Sequence, residues 1–133
     1  MDFRITFPGG KKVNAEYGDM VIKTDQSVAS GGEGTAPEPF MMFLASLGTC
    51  AGIYVLSFIR NRDISTEGLE LIQHNEFELN EKGVPNLTKI TIDIKVPVGF
   101  PEKYHEAIIR VADQCKVKHT IQNPPEFEIK VVV

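Results

Sequence analysis

Two cysteines, Cys50 and Cys115, carry the side chains most suited to covalent chemistry in this sequence of 133 residues. They form no Cys-x-x-Cys pair and no four-ligand zinc set, so neither a metal nor another cofactor is expected. His74, His105 and His119 share no ligand spacing either. His105 falls on the polar side of a helical pattern, and only His119 stands close in sequence to a thiol. The Gly31-Gly32-Glu33-Gly34 run could cradle an anion, but it lacks the Gly-Lys-Ser/Thr ending of a phosphate loop and reads as a hinge. Thiol chemistry remains, and the thiolate is its reactive form.

The two thiols sit in different company. Cys50 lies in Phe40–Ile59, FMMFLASLGTCAGIYVLSFI, which contains no charged residue. By itself such a thiol is a small core hydrophobe, and apolar burial raises its pKa. A functional role needs a donor or cation brought in from elsewhere in the fold or from a second subunit. Cys115 opens into Lys116-Val117-Lys118-His119. Those groups either favour a thiolate or are the solvated basic end of a helix, where the helix dipole favours them. Both readings stand on sequence alone.

The surrounding elements must position these sulfurs. Phe3, Ile5 and Phe7 alternate with polar residues, Pro8-Gly9-Gly10 interrupts, and Val13, Ala15 and Tyr17 resume, which predicts a hairpin. A third strand over Met20–Thr24 completes a small antiparallel meander, followed by a polar loop over Asp25–Pro39. The uncharged run predicts one long helix, closed by Arg60-Asn61-Arg62. Twenty residues rise about 30 Å as a helix, enough to cross a bilayer. Ser46, Gly48, Thr49, Gly52 and Ser57 dilute its apolarity, and the flanking strands are amphipathic, so a buried helix is expected and no membrane partner.

Ala45, Gly48, Thr49 and Gly52 form a small-residue stripe along that helix, suited to close approach of another helix. Leu69, Leu71, Phe77 and Leu79 predict one strand and Ile90, Ile92, Ile94 and Val96 its hairpin partner, joined by Asn80-Glu81-Lys82-Gly83. Tyr104, Ile108, Val111, Ala112 and Cys115 share one face of a helix predicted over 101–115, with Pro101 in its first turn. The tail alternates through Phe127, Ile129, Val131 and Val133 and is expected to join the same sheet. This order predicts one α+β domain over residues 1–133. So short a chain has few elements to cover an all-apolar helix, and a homodimer is the expected cover.

Charge narrows the partners. Fourteen Lys and Arg against eighteen Asp and Glu give a net charge of −4. With no basic block, no nucleic-acid partner is expected. Met1-Asp2-Phe3-Arg4-Ile5 begins a strand and not a signal segment, so a cytoplasmic location is expected.

The run GGEGTAPEPFMMFLASLGTC (31–50), with VADQCKVKHT (111–120), resembles the OsmC/Ohr superfamily of osmotically induced and organic hydroperoxide resistance proteins. In that family a Gly-Thr-x-Pro-Glu segment leads into a central helix bearing the first cysteine, and a Cys-x-Val begins the stretch bearing the second. The resemblance implies an OsmC-like fold in an intertwined homodimer. It implies a thiol peroxidase in which Cys50 attacks a hydroperoxide and becomes a sulfenic acid, Cys115 resolves it to a disulfide, and a dithiol reductant, lipoyl-protein in one branch, restores both. The family pairs an Arg from the N-terminal hairpin with a Glu near the helix start. Lys11 stands in the Arg position here. The Glu position falls on Glu38 counted from Gly34-Thr35, and on Met41 counted back from Cys50. Lysine can stabilise a thiolate as a point charge but lacks the two-pronged contact with a carboxylate. Those departures keep a second function open: the same fold as a binding module with a hydrophobic pocket.

Overall fold

The alternating N-terminal segments form the expected meander in a computed structural model that describes residues 1–133. β1 (Arg4–Gly9), β2 (Lys12–Tyr17) and β3 (Met20–Thr24) pair antiparallel in that order. Ile5 faces Ala15, and Ala15 in turn faces Ile22. Gly9 and Gly10 turn the first hairpin with φ of 136° and 57°, values that L side chains rarely adopt. Arg4 and Glu16, cross-strand partners, form an ion pair at 2.5 Å. The chain then winds through a loop with a single 3-10 turn at Val28–Ser30.

Asp25 anchors that loop although its carboxylate is fully buried. It accepts from the Thr35 amide at 3.0 Å, the Thr35 hydroxyl at 2.7 Å and the Gln26 amide at 2.8 Å. Those donors, Thr35 foremost, hold its pKa down at about 2. A buried carboxylate is tolerated when its oxygens are satisfied in this way.

The uncharged run folds as α1 (Pro39–Arg60), with proline in the first helical position, where its missing N–H costs nothing. Two compact units divide the chain, Met1–Ala45 and Ser46–Val133. In the second, Val55, Phe58 and Ile59 of α1 form the core with Phe100 and Ile108. Leu71 and Ile94 pack on it from β4 (Glu70–Leu79) and β5 (Pro85–Lys95), the expected second hairpin. They are cross-strand partners in its register. Full burial of one such side chain stabilises by about 1.5–3 kcal/mol.

Three expectations are corrected. The helix predicted over 101–115 is broken into a 3-10 turn at Glu102–Tyr104, α2 (His105–Ala112) and, beyond a turn, α3 (Lys116–Gln122). Cys115 leaves helical geometry at φ −48° and ψ 114° and so ends one helix path and starts the next. Secondly, the small stripe of α1 accepts a strand and not a helix. A Cβ on Gly48 would stand 2.6 Å from Gln73 Oε1, and one on Gly52 would stand 4.0 Å from Leu71 Cδ2, so β4 lies across it. Thirdly, the tail over 127–133 forms no strand, and Phe127, Ile129, Val131 and Val133 are exposed. Alternation supplies the two faces of a strand, but a strand also needs a neighbouring edge for its backbone groups.

Candidate active site

Cys50 occupies the middle of α1, one residue before the buried Ala51. Its own sulfur is half-buried, while Cys115 is buried. The break between α2 and α3 brings the second thiol to the first. Cys115 caps α3: its sulfur accepts the Lys118 amide at 3.4 Å, and its carbonyl accepts the His119 amide at 3.1 Å. The same sulfur lies 3.7 Å from the Leu47 carbonyl oxygen, to which its S–H donates. Leu47 is on α1, three residues before Cys50, so the cap is tied to the helix that carries the other thiol.

The two thiols act on one another, and their acidities separate. The backbone amide of Val117 lowers the pKa of Cys50, opposed by burial and helped by the S–H of Cys115 and the amide of Lys116. Burial raises that of Cys115, as does the hydrogen bond to Cys50, with the Lys118 amide opposing. The half-buried thiol is therefore the more acidic of the two and the buried one the less acidic. The donors on Cys50 from outside α1 include backbone amides at the start of α3.

An apolar groove of about 580 Å³ opens beside Cys115. Leu47 and Ala51 of α1, Ile90, Ile92 and Ile94 of β5, and Ile109 and Ile121 of the two short helices line it. Lys89, Asp113 and Lys118 supply its charged groups. Lys118 is paired with Asp113 through its ammonium, which leaves its backbone N–H, not its charge, as its contact with sulfur. Exposed His119 neighbours Cys115 through its backbone amide, and its side chain acts electrostatically on Asp113. Lys116 and Lys118 open a helix; the alternative that they close one does not hold.

The remaining candidates lie before α1 or in its first turn. Lys11 Nζ donates to the Ser30 carbonyl at 2.7 Å. Glu38 immediately precedes α1: its carbonyl accepts the Met42 amide at 3.1 Å, and its Oε1 accepts the Ser27 amide at 2.9 Å. Each is thus bonded to the short turn at 27–30. Met41 is exposed. The Gly31–Gly34 run wraps Gln26, whose carbonyl accepts the Gly34 amide at 3.0 Å, which fits a loop closure better than an anion cradle.

The amides of Lys116, Val117 and Lys118 and the carbonyl of Leu47 escaped a search by residue type because they belong to the backbone.

The OsmC-like protein family matches residues 32–130. A comparison with curated proteins returns no match. Among solved structures, this chain is similar to a Psychrobacter arcticus protein named for osmotic stress induction and detoxification response, at 19% identity and a TM-score of 0.70, covering 89% of this chain and 85% of that one. An OsmC-like protein from Vibrio cholerae is 15% identical with a TM-score of 0.64, over 90% and 91% of the two chains. An organic hydroperoxide resistance protein from Elizabethkingia anophelis is 20% identical with a TM-score of 0.58, over 92% and 90%. These likenesses establish a common fold.

Proposed function

The chain belongs to the OsmC-like protein family, and on that premise we propose that it is a thiol peroxidase reducing organic hydroperoxides through Cys50 and Cys115. The observation that carries this reading is the packing of the buried Cys115 sulfur on α1, 3.7 Å from the Leu47 carbonyl and so three residues from Cys50, with the acidities of the two thiols shifted in opposite directions. Ionised Cys50 attacks the terminal oxygen of the peroxide. A sulfur–oxygen bond forms, the oxygen–oxygen bond breaks, and the leaving alkoxide takes a proton and departs as the alcohol. Cys115 then attacks the sulfenic acid: the disulfide forms, the sulfur–oxygen bond breaks, and hydroxide leaves as water with the proton of Cys115. A dithiol reductant, of which a lipoyl-protein is one form, returns both thiols by exchange and is itself oxidised to a disulfide. Lys11 and Glu38, which the resemblance adds to the site, are both bonded to the short turn at 27–30, the lysine to the Ser30 carbonyl and the glutamate to the Ser27 amide.

Mass spectrometry of the intact protein after one equivalent of cumene hydroperoxide tests this reading. The expected result is loss of two hydrogens, mapped to a crosslink of the Cys50 and Cys115 peptides. Unchanged mass, or a stable sulfinic acid on Cys50 without a crosslink, overturns the two-cysteine cycle.

The groove beside Cys115 favours a second reading, a module that holds an apolar ligand without turnover. It expects both thiols to be alkylated slowly at neutral pH. Rapid alkylation of Cys50 well below pH 8 rejects it.

The proposal includes a homodimer in a reducing, cytoplasmic setting. It is supported by the apolar surface that one chain leaves open: Phe40, Phe43 and Ile53 of α1 and the alternating tail. A second copy can bury such surface and supply strand edges. α1 is also long and apolar enough to cross a membrane. Light scattering on protein purified without detergent separates the cases: a dimer mass supports the proposal, and a requirement for detergent refutes it.

A further inference from the structure

Cys115 carries one S–H, which reaches the Leu47 carbonyl at 3.7 Å, and Cys50, whose pKa Cys115 lowers, stands three residues further along the same helix. The Lys118 amide, donating at 3.4 Å, fixes the position of the Cys115 sulfur without consuming its proton. Only rotation about one carbon–sulfur bond is left. While Cys50 is a neutral thiol, the Leu47 carbonyl is the stronger acceptor. Once Cys50 is ionised, the thiolate is, because hydrogen bonds to charged acceptors are about twice as strong as neutral ones. Cys115 is buried at 3% exposure, so water does not compete for this proton.

We propose that Cys115 is a positioning residue in the reduced site, its S–H turning from the Leu47 carbonyl to the Cys50 sulfur and holding the thiolate before the same side chain acts as the resolving thiol. This deepens the peroxidase reading and rests on Cys50 being the nucleophile. The geometry explains how a site built on an uncharged helix keeps an anion. Besides Cys115, the groups on Cys50 are the amides of Val117 and Lys116, and desolvation opposes them. The titratable groups on the adjoining groove are Lys89 of β5 and the Asp113–Lys118 pair, whose charges largely cancel.

Cys115→Ala and Cys115→Ser separate this role from resolution, since neither variant can form the disulfide. The measurement is the pH profile of Cys50 alkylation by iodoacetamide, with a thermal melt of each variant to establish folding. Serine keeps one donor on a short side chain and is expected to hold the midpoint near that of the unaltered protein. Alanine removes the donor, and the midpoint is expected to move up, slowing alkylation at pH 7 roughly tenfold, the factor carried by one hydrogen bond to a charged group. Coincident profiles for alanine and serine overturn the proposal, whether both stay in place, with the amides sufficient, or both shift, with packing the cause. No peroxide enters this assay. A failed crosslink with separated profiles rejects the peroxidase cycle alone, and a crosslink with coincident profiles rejects the positioning role alone.

Discussion

Asp25 in Met1–Ala45 and Cys50 in Ser46–Val133 are both held below their ordinary pKa chiefly by backbone amides, yet one is sealed from solvent and the other is only half-buried. Asp25 accepts from the Thr35, Gln26 and Glu33 amides and the Thr35 hydroxyl, and it has no exposed surface. Its charge is fully engaged and out of reach. Cys50 receives two amides and one S–H and stays half-buried, so the anion is stabilised and still accessible. Amide donors make an anion cheap to hold. Exposure decides whether it can also do chemistry.

The largest effect that tests this contrast comes from Cys50→Ser. Peroxide consumption, followed by loss of substrate under excess dithiol, is expected to fall to the uncatalysed background, because a serine hydroxyl is not ionised near neutral pH. The thermal melt is expected to stay close to that of the unaltered protein, since the side chain is half-exposed and nearly isosteric. Retained turnover would place the nucleophile elsewhere.

Next in size is the core beneath the thiols. Ile59 has no exposed surface and packs among Val55, Phe58, Phe100 and Ile108. Ile59→Ala is expected to cost about 3 kcal/mol by urea denaturation, from lost transfer energy and a residual cavity. A cost below about 1 kcal/mol would mean that the α1 core does not set the stability of Ser46–Val133.

Asp25→Asn gives a smaller, pH-specific effect. The folded pKa of Asp25, about 2, lies below its ordinary 3.8. Its contribution is therefore complete above pH 3.8 and is lost as pH falls toward 2. The variant is expected to melt several degrees lower at pH 7 and to lack that part of the acid slope. Glu16 and Asp113 are also lowered, by Arg4 and Lys118, and remain in both proteins, so the difference between the two slopes isolates Asp25. Identical slopes would remove the anchoring role of this carboxylate.

How far each region could be read from sequence follows from what kind of group does the holding. The meander, the second hairpin and the long helix announce themselves because side-chain periodicity encodes which face is buried. Cys50 and Cys115 were legible as residue types. The start of α3 was not, because Val111, Ala112 and Cys115 continue a helical stripe straight through the break, and cysteine is not among the usual capping residues. The donors on Cys50 were hidden for a deeper reason: every residue has an amide, and only the fold selects those of Lys116 and Val117. Asp25 shows the same blindness, reading as one more acid in a polar loop. The tail errs the other way, since its alternation states what a strand would bury but not which edge it would join.

The smallest expected effect belongs to Lys11, where family resemblance and local geometry pull apart. Resemblance assigns its charge to the thiolate, whereas its Nζ is bonded to the Ser30 carbonyl and packs on Gly31, 3.0 Å from where a Cβ would lie. A lysine bonded to a carbonyl has one of its donors engaged, and water screens an exposed charge. Lys11→Met keeps the length of the side chain and removes both the donor and the charge. Turnover is expected to fall by less than about tenfold, and stability to change by about 0.5 kcal/mol or less, as for most exposed substitutions. A loss of a hundredfold or more, with the pH profile of Cys50 alkylation displaced upward, would transfer the main stabilisation of the anion from the amides of α3 to this ammonium and make the contrast with Asp25 one of charge and not of exposure.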